Sequence, residues 1–309
     1  MKNELVHYKG WDNCVCLSND LVDLIITTDV GPRVIRYGFR EDVNEFCEFP
    51  DQMGKKGGNE WRIYGGHRLW HAPEQMPRTY YPDNFPVKAD FSNGLLQLIQ
   101  SVETTTGIVK EMDIELHETS SRVRVIHRLR NEGLWNIQLA PWALTVLAPG
   151  GIAVVPLPPR QTHAENLSPV NTFTLWAYTD FSDPRWILGS RFILLKHDSE
   201  RQSPQKIGIC VPAGWAAFAR NEHLFLKQFQ YSHHSRYPDM GSSVEVFTNQ
   251  AMTELETLGP LVDLAPGEHA EHIETWDLVS GIAQPNSQKG VDDMLPAIRS
   301  LFINQEEIQ

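Results

Sequence analysis

The sequence predicts an all-β chain folded as one large antiparallel sandwich, with a short helix at its C-terminal end. Short runs of β-branched and aromatic residues recur more than a dozen times, Gly, Pro, Asn and Asp punctuate them, and helical spacing appears only near the end. Leu21–Thr28 stops at Asp29-Val30-Gly31-Pro32, and Arg33–Phe39 follows at hairpin distance, so the chain opens as a meander. Leu95–Gln100, Ile108–Leu116 and Arg122–Arg130 read as consecutive strands, turned at Asn93-Gly94, Thr106-Gly107 and Ser120-Ser121. In the third, Val123, Val125 and Leu129 alternate with Arg122, Arg124, Arg128 and Arg130, as expected of a sheet with one packed and one wet face. After the turn at Asn131-Glu132-Gly133 comes a strand over Ile137–Leu147, whose Pro141 predicts a bulge or an edge position.

Further strands are expected at 152–157, 191–196, 206–211, 214–219, 224–230, 244–248, 251–257 and 269–279. Residues 281–289 read as a loop, and Gly290–Phe302 as the terminal helix, because Leu295, Ile298, Leu301 and Phe302 share one helical face. Neither an internal repeat nor a domain-separating linker interrupts the chain. Residues 1–280 are therefore expected to form a single sandwich domain, with 281–309 packed on or near it.

Composition narrows the partners. The 309 residues are 41% hydrophobic and 21% charged, enough for one large core. With 27 Lys and Arg against 39 Asp and Glu, the net charge of −12 repels phosphate backbones and anionic lipid, so neither nucleic acid nor a membrane is an expected partner. Cys14, Cys16, Cys47 and Cys210 are too scattered for a disulfide framework, and Cys14-Val15-Cys16 has neither zinc nor redox spacing. Together with an N-terminus that lacks the apolar stretch of a leader, this predicts a cytoplasmic protein.

Three stretches carry chemistry. The first is Tyr64-Gly65-Gly66-His67-Arg68-Leu69-Trp70-His71-Ala72-Pro73-Glu74. Its imidazoles, guanidinium, carboxylate and indole are what a sugar site uses: an aromatic face for the C–H side of the ring, and polar groups for the hydroxyls. His67 and His71 could equally be satisfied by backbone carbonyls, and Trp70 could be core. A metal is not expected, since Arg68 stands where a zinc-protease motif has its Glu and the flanking Gly pair and Pro argue against a helix. The second stretch contains Lys227, Tyr237 and Asp239, which would project from a strand end and its loop, although Asp239 could simply cap the turn before Gly241. The third is Met252-Thr253-Glu254-Leu255-Glu256-Thr257-Leu258-Gly259-Pro260. Glu254 and Glu256, two apart on a strand, share a face: on a wet face that costs little, whereas in a cleft it would raise one carboxyl into the range useful for taking a proton.

On such a chain these stretches, with Asp29-Val30-Gly31-Pro32-Arg33-Val34 before them and Leu264-Ala265-Pro266-Gly267-Glu268 after them, resemble the galactose mutarotase-like (aldose 1-epimerase-like) superfamily over about residues 15–280. The signatures Gly-Gly-His-Arg-Leu-Trp, Tyr-Pro-Asp and Glu-Leu-Glu-Thr-Leu-Gly-Pro are most similar to those of an uncharacterised bacterial branch. The resemblance implies a β-supersandwich with a sugar cleft on its concave face, no cofactor, and proton transfer at the anomeric carbon of a monosaccharide or small sugar derivative. It places the general base at Glu256 or Glu254. It matches His67 to the substrate-binding His, Arg33 or Arg68 to a hydroxyl-binding Arg and Asp239 to a sugar-binding acid, while the chemistry of the stretches themselves adds His71 as a catalytic candidate and Trp70, Glu74, Lys227 and Tyr237 as sugar-binding candidates. The strand that carries the epimerases' acid His here reads Leu139-Ala140-Pro141-Trp142-Ala143-Leu144-Thr145, with Trp142 at about that place. Either His71, His67 or His163 donates the proton, or the chain no longer epimerises. A non-catalytic sugar-binding module and a polysaccharide lyase or hydrolase are the alternatives on the same scaffold, and a homodimer stays open. The enzymatic expectation needs an acid of the 250s within reach of an imidazole of the 60s.

Overall fold

A computed structural model describes residues 2–303. Strands dominate and form two antiparallel sheets. The first runs, in spatial order, β1 (Lys2–Tyr8), β2 (Trp11–Ser18), β3 (Val22–Thr27), β4 (Arg33–Phe39), β5 (Gly66–Ala72), β10 (Ile137–Leu147), β19 (Thr253–Leu258), β18 (Val244–Thr248), β15 (Gln205–Ile209) and β12 (Phe173–Leu175), with β20 (Val262–Leu264) also beside β10. The second runs β13 (Trp186–Leu188), β14 (Phe192–Lys196), β11 (Ile152–Pro156), β16 (Trp215–Arg220), β17 (His223–Phe229), β21 (His269–Ser280), β9 (Val123–Asn131), β8 (Ile108–Leu116), β7 (Leu95–Ile99) and β6 (Lys88–Ser92). The fold is thus the all-β sandwich with a C-terminal helix that the sequence pattern predicts.

Alternation decides where the core lies. Leu24, Val34, Leu69, Ile207, Val246 and Leu255 of the first sheet meet Val125, Phe218, Phe225, Trp276 and Leu278 of the second in one buried cluster. The helix α1 (Gln288–Ile303) begins two residues before its expected start and carries Pro296 internally. It lays Val291, Met294 and Ile298 on the outer face of the second sheet, against Ile152, Leu194, Trp215 and Leu226. Residues 304–309 of the expected C-terminal segment lie outside the described residues. Among the described residues no helix is long and apolar enough to cross a membrane.

Pro141 does not mark an edge or a bulge. β10 is a central strand that pairs continuously with β5 through Ala140–Val146, and Pro141 lies where its other neighbour changes from β19 to β20. Its carbonyl accepts from the Gly259 N–H at 2.8 Å, so its missing N–H falls at that seam and no ladder bond is lost.

Five strands of the first sheet, β1, β2, β5 and the three-residue β12 and β20, have no counterpart in the sequence reading. β1 is mostly exposed and β2 alternates irregularly, so neither shows a clean period. β5 is buried at all seven positions because it is covered on both faces, and its polar residues disguise it as a loop.

Candidate functional site

The face of the first sheet turned away from the core is polar at its centre. The ladder places Arg68 opposite Leu144, Leu144 opposite Glu256, and Glu256 opposite Glu245, while Trp70 lies opposite Trp142. One register step along, Glu254 and Lys206 both pair with Phe247. Residues opposite one another point to the same side, so two acids from β19, one from β18, a lysine from β15 and an arginine from β5 share this face. Trp61, Tyr80 and Tyr178, from connecting loops, rise around them to enclose a cavity of about 230 Å³ walled also by Arg68, Trp70, Glu74, Trp142, Lys206 and Glu254.

The charges are held in place. Lys206 Nζ lies 2.7 Å from Glu245 Oε2 and 3.1 Å from Glu256 Oε2, and Trp142 Nε1 donates to that same Glu256 oxygen at 2.8 Å. Arg68 Nη2 donates to Glu254 Oε1 at 3.2 Å. Both cations also sit on indoles: Arg68 over Trp70 and Trp61, its carbon 4.5 and 5.7 Å from the ring centres, and Lys206 over Trp142 and Trp176 at 4.9 and 4.7 Å. Burial holds the Glu254 carboxyl above the usual range; Arg68 pulls against this and the charge of Glu256 adds to it. Burial likewise holds Glu245 well above that range. Burial works against the charge of Lys206, yet Glu245 and Glu256 beside it keep the ammonium well above the ordinary lysine value. The Arg68 Nε and Nη1 donors and Glu256 Oε1 are buried without a hydrogen-bond partner.

Of the residues expected at a site, the structure brings Arg68, Trp70, Glu74 and Glu254 together at the cavity wall. Asp239 stands nearby with a left-handed φ of 48°, its carboxyl raised by burial and sharing a hydrogen bond with Glu245. Glu256 is wholly buried behind Lys206 and Trp142, so it acts on the cavity through Lys206 and not by touching its contents.

The expected imidazoles are not there. β5 turns Arg68 and Trp70 to the cavity, so His67 and His71 point into the sandwich, both fully buried. The acids of the 250s and the imidazoles of the 60s lie on opposite faces of one sheet, and proton relay between them is ruled out. His67 instead bonds Thr145 Oγ1 at 2.8 Å and His127 Nε2 at 2.7 Å. His71 lies 3.6 Å from Glu103, which Lys110 pairs at 2.7 Å. Lys227 is also interior, 2.8 Å from Glu274 and bonded to the carbonyls of Ala143 and Leu255. Arg33 is a buried strut, paired with Asp83 at 2.7 Å and donating to the carbonyls of Ile63 and Gly65. Tyr237 stacks on Tyr231, and its hydroxyl accepts from the Ser232 N–H. His163 lies exposed in a loop. Trp142 occupies the cavity side of β10 and serves as the hydrogen-bond donor that orients Glu256.

Lys206, Glu245, Trp61, Tyr80 and Tyr178 are the site residues that the sequence reading misses. A signal existed for two: Glu245 is the lone charge between inward Val244 and Val246, and Lys206 the lone charge of its strand.

One other cluster has the donor set of a metal centre. The ligand atoms of His67, His127 and Glu274 lie within 4.8 Å of one another, all buried between the sheets. Hydrogen bonding already commits them. His127 Nδ1 donates to the His272 carbonyl at 2.9 Å, which leaves its Nε2 to accept from His67 Nε2, while Lys227 and Trp276 Nε1 occupy the Glu274 carboxylate. A larger hollow of about 970 Å³ between α1 and the second sheet is lined by Leu157, Phe192, Trp215 and Ile298 with Arg160, Arg191 and Arg299, and Arg191 is already paired with Asp292 at 2.6 Å.

No known family profile matches the sequence, and no curated protein matches it significantly. Solved structures do match. A galactose mutarotase-like protein from Lactobacillus casei ATCC 334 superposes with a TM-score of 0.57 at 9% identity, over 86% of this chain and 100% of that one. A galactose mutarotase related enzyme from Lactobacillus acidophilus gives 0.52 at 7% identity, over 88% and 99%. A TPR-domain containing protein from Parabacteroides distasonis ATCC 8503 gives 0.56 at 15% identity, over 89% of this chain and 49% of its own. Identities this low speak to architecture alone, and the architecture of this chain is the galactose mutarotase-like fold.

Proposed function

We propose that the cavity binds one monosaccharide ring and exchanges protons at its anomeric centre, with Glu254 as the acid–base group and Lys206 as its cationic partner. The observation that carries this is a raised, cavity-lining carboxyl beside a lysine ammonium, inside an aromatic enclosure of about 230 Å³. That volume is below the usual range for drug-sized ligands, roughly 300–1,000 Å³, and suits a single ring better than a chain of sugars.

Mutarotation asks little else. Glu254 takes the proton of the C1 hydroxyl while water supplies one to the ring oxygen, which the Lys206 ammonium faces as a fixed positive charge. The bond between C1 and the ring oxygen breaks as the C1 carbonyl forms, the aldehyde turns, and closure returns both protons. A carboxyl raised by burial is a better base than an ordinary one, and the ammonium also stabilises negative charge developing on the ring oxygen. Arg68, through its unpartnered Nε and Nη1, offers donors to hydroxyls. No metal or organic cofactor is needed for these steps.

A second reading, sugar binding without turnover, is favoured by the absence of any imidazole from the cavity wall among the described residues. Exchange between anomers, followed by NMR or polarimetry on freshly dissolved aldoses, separates the two. Glu254→Gln is expected to lower an observed rate about 10²-fold or more while a sugar still binds. A parent protein that binds sugars and accelerates none of them would leave only the binding reading.

A further inference from the structure

We propose that this cavity selects an unphosphorylated sugar bearing a basic nitrogen, an amino sugar, over neutral and anionic sugars. The proposal rests on the sugar-binding reading above and deepens it. Five carboxyls, Glu74, Asp239, Glu245, Glu254 and Glu256, stand on or immediately behind the wall against two cations, Arg68 and Lys206. Both cations are already committed. Lys206 is held by Glu245 and Glu256, Arg68 by Glu254, and each is laid on indole faces that are then closed to a ligand. The nearest further charges, Arg33 and Asp83, form a closed pair of their own. A phosphate or uronate would oppose ionisation of these surplus carboxyls, whereas an ammonium would favour it.

Two further observations point to an organic ligand with hydroxyls and not to a bare cation. Arg68 is nine-tenths buried and lines the cavity with Nε and Nη1 unpartnered, so an occupant must bring acceptor oxygens as well as positive charge. A hydroxyl satisfies those donors without adding charge. Of the carboxyls at the wall, the hydrogen bonds within the protein engage Glu254 through Oε1 and Glu74 through the Tyr80 hydroxyl, which leaves each with an oxygen to offer an amine. Burial keeps Glu245, Glu254 and Asp239 reluctant to ionise, and an incoming ammonium would hold them in the charged form.

Calorimetric titration of the whole protein with glucosamine, galactosamine and mannosamine, against glucose, galactose, mannose, their 6-phosphates and glucuronate, tests this at a pH where the amine is charged. At least one amino sugar is expected to bind about tenfold tighter than its neutral parent, and the phosphates and glucuronate more weakly than either. Glu74→Gln, a change at an exposed position that folding should tolerate, is expected to shrink the ratio of amino-sugar to neutral-sugar affinity several-fold. Neutral sugars binding as tightly as their amino counterparts, or phosphates binding best, would overturn the selectivity and leave the sugar site standing. Failure of every sugar to bind would overturn the sugar site itself, and this inference with it.

Discussion

Acid should destabilise this protein through the imidazoles between its sheets, and His272 is where the effect can be measured. His272 is buried, its Nε2 is 2.7 Å from Thr257 Oγ1, and burial lowers it from 6.5 to about 3, with His127 and Lys227 adding to the shift and Glu274 opposing it. The unfolded chain therefore takes up a proton near pH 6.5 that the folded chain refuses until about 3, so stability falls as pH drops through that window. At about 1.4 kcal/mol per pH unit, this one group costs about 2 kcal/mol between pH 6.5 and pH 5, and about 5 kcal/mol by pH 3. His67 and His127 are lowered by the same burial and act in the same direction. The raised carboxyls Glu245 and Glu254 act oppositely, gaining stability as pH falls through their folded values, so the net curve of the parent does not isolate the effect. A difference does. Urea unfolding of the parent and His272→Gln at about pH 7 and about pH 5 should show the variant less stable at the higher pH, with the gap closing by about 2 kcal/mol at the lower. Two curves that stay parallel over that range would show that His272 is not held neutral, and the argument from burial would fail.

Two other substitutions probe the cavity and its frame. Lys206→Met leaves Glu245 and Glu256 buried without their cation, and should cost about 3–5 kcal/mol in urea unfolding unless the two acids take up protons; in that case the loss should lessen at lower pH. Gly65→Ala should be among the most damaging changes near the site: its φ is +105°, and a Cβ there would lie 1.9 Å from the Cys47 carbonyl oxygen, so a melting temperature within a few degrees of the parent's would contradict the close approach that frames β5.

The architecture was legible because its signal is distributed. Strands such as β9 carry their apolar residues on alternate positions and their arginines between them, and a dozen such runs agree on one answer even if several boundaries slip. What failed to show was local and had physical causes. β5 is polar on the cavity side and polar again on the core side, so His67 and His71 erase the period that would have marked it as a strand. Pro141 reads as a breaker from sequence, because nothing local reveals that β10 changes neighbours at that residue.

The site turned on a question of parity. In the stretch from Gly66 to Ala72 the chemistry alternates residue by residue, and a strand must send one set of side chains to each side. Sequence identifies imidazole, guanidinium and indole as neighbours but does not say which set meets the ligand, because both faces of this strand are buried and burial no longer distinguishes them. Pairing does: Arg68 opposite Leu144, and Leu144 opposite Glu256, fix the guanidinium on the acids' side, and His67 opposite Thr145 fixes the imidazole on the other. The same parity separates Lys227, which faces Glu274 in the core, from Lys206, which faces the acids of the cavity, although each sits on a strand with apolar neighbours. Two nearly complete charge networks thus lie back to back across one sheet. The outer one borders the cavity described above, and the chemistry proposed for this protein is built from its carboxyls, lysine and arginine, with the buried histidines serving the fold.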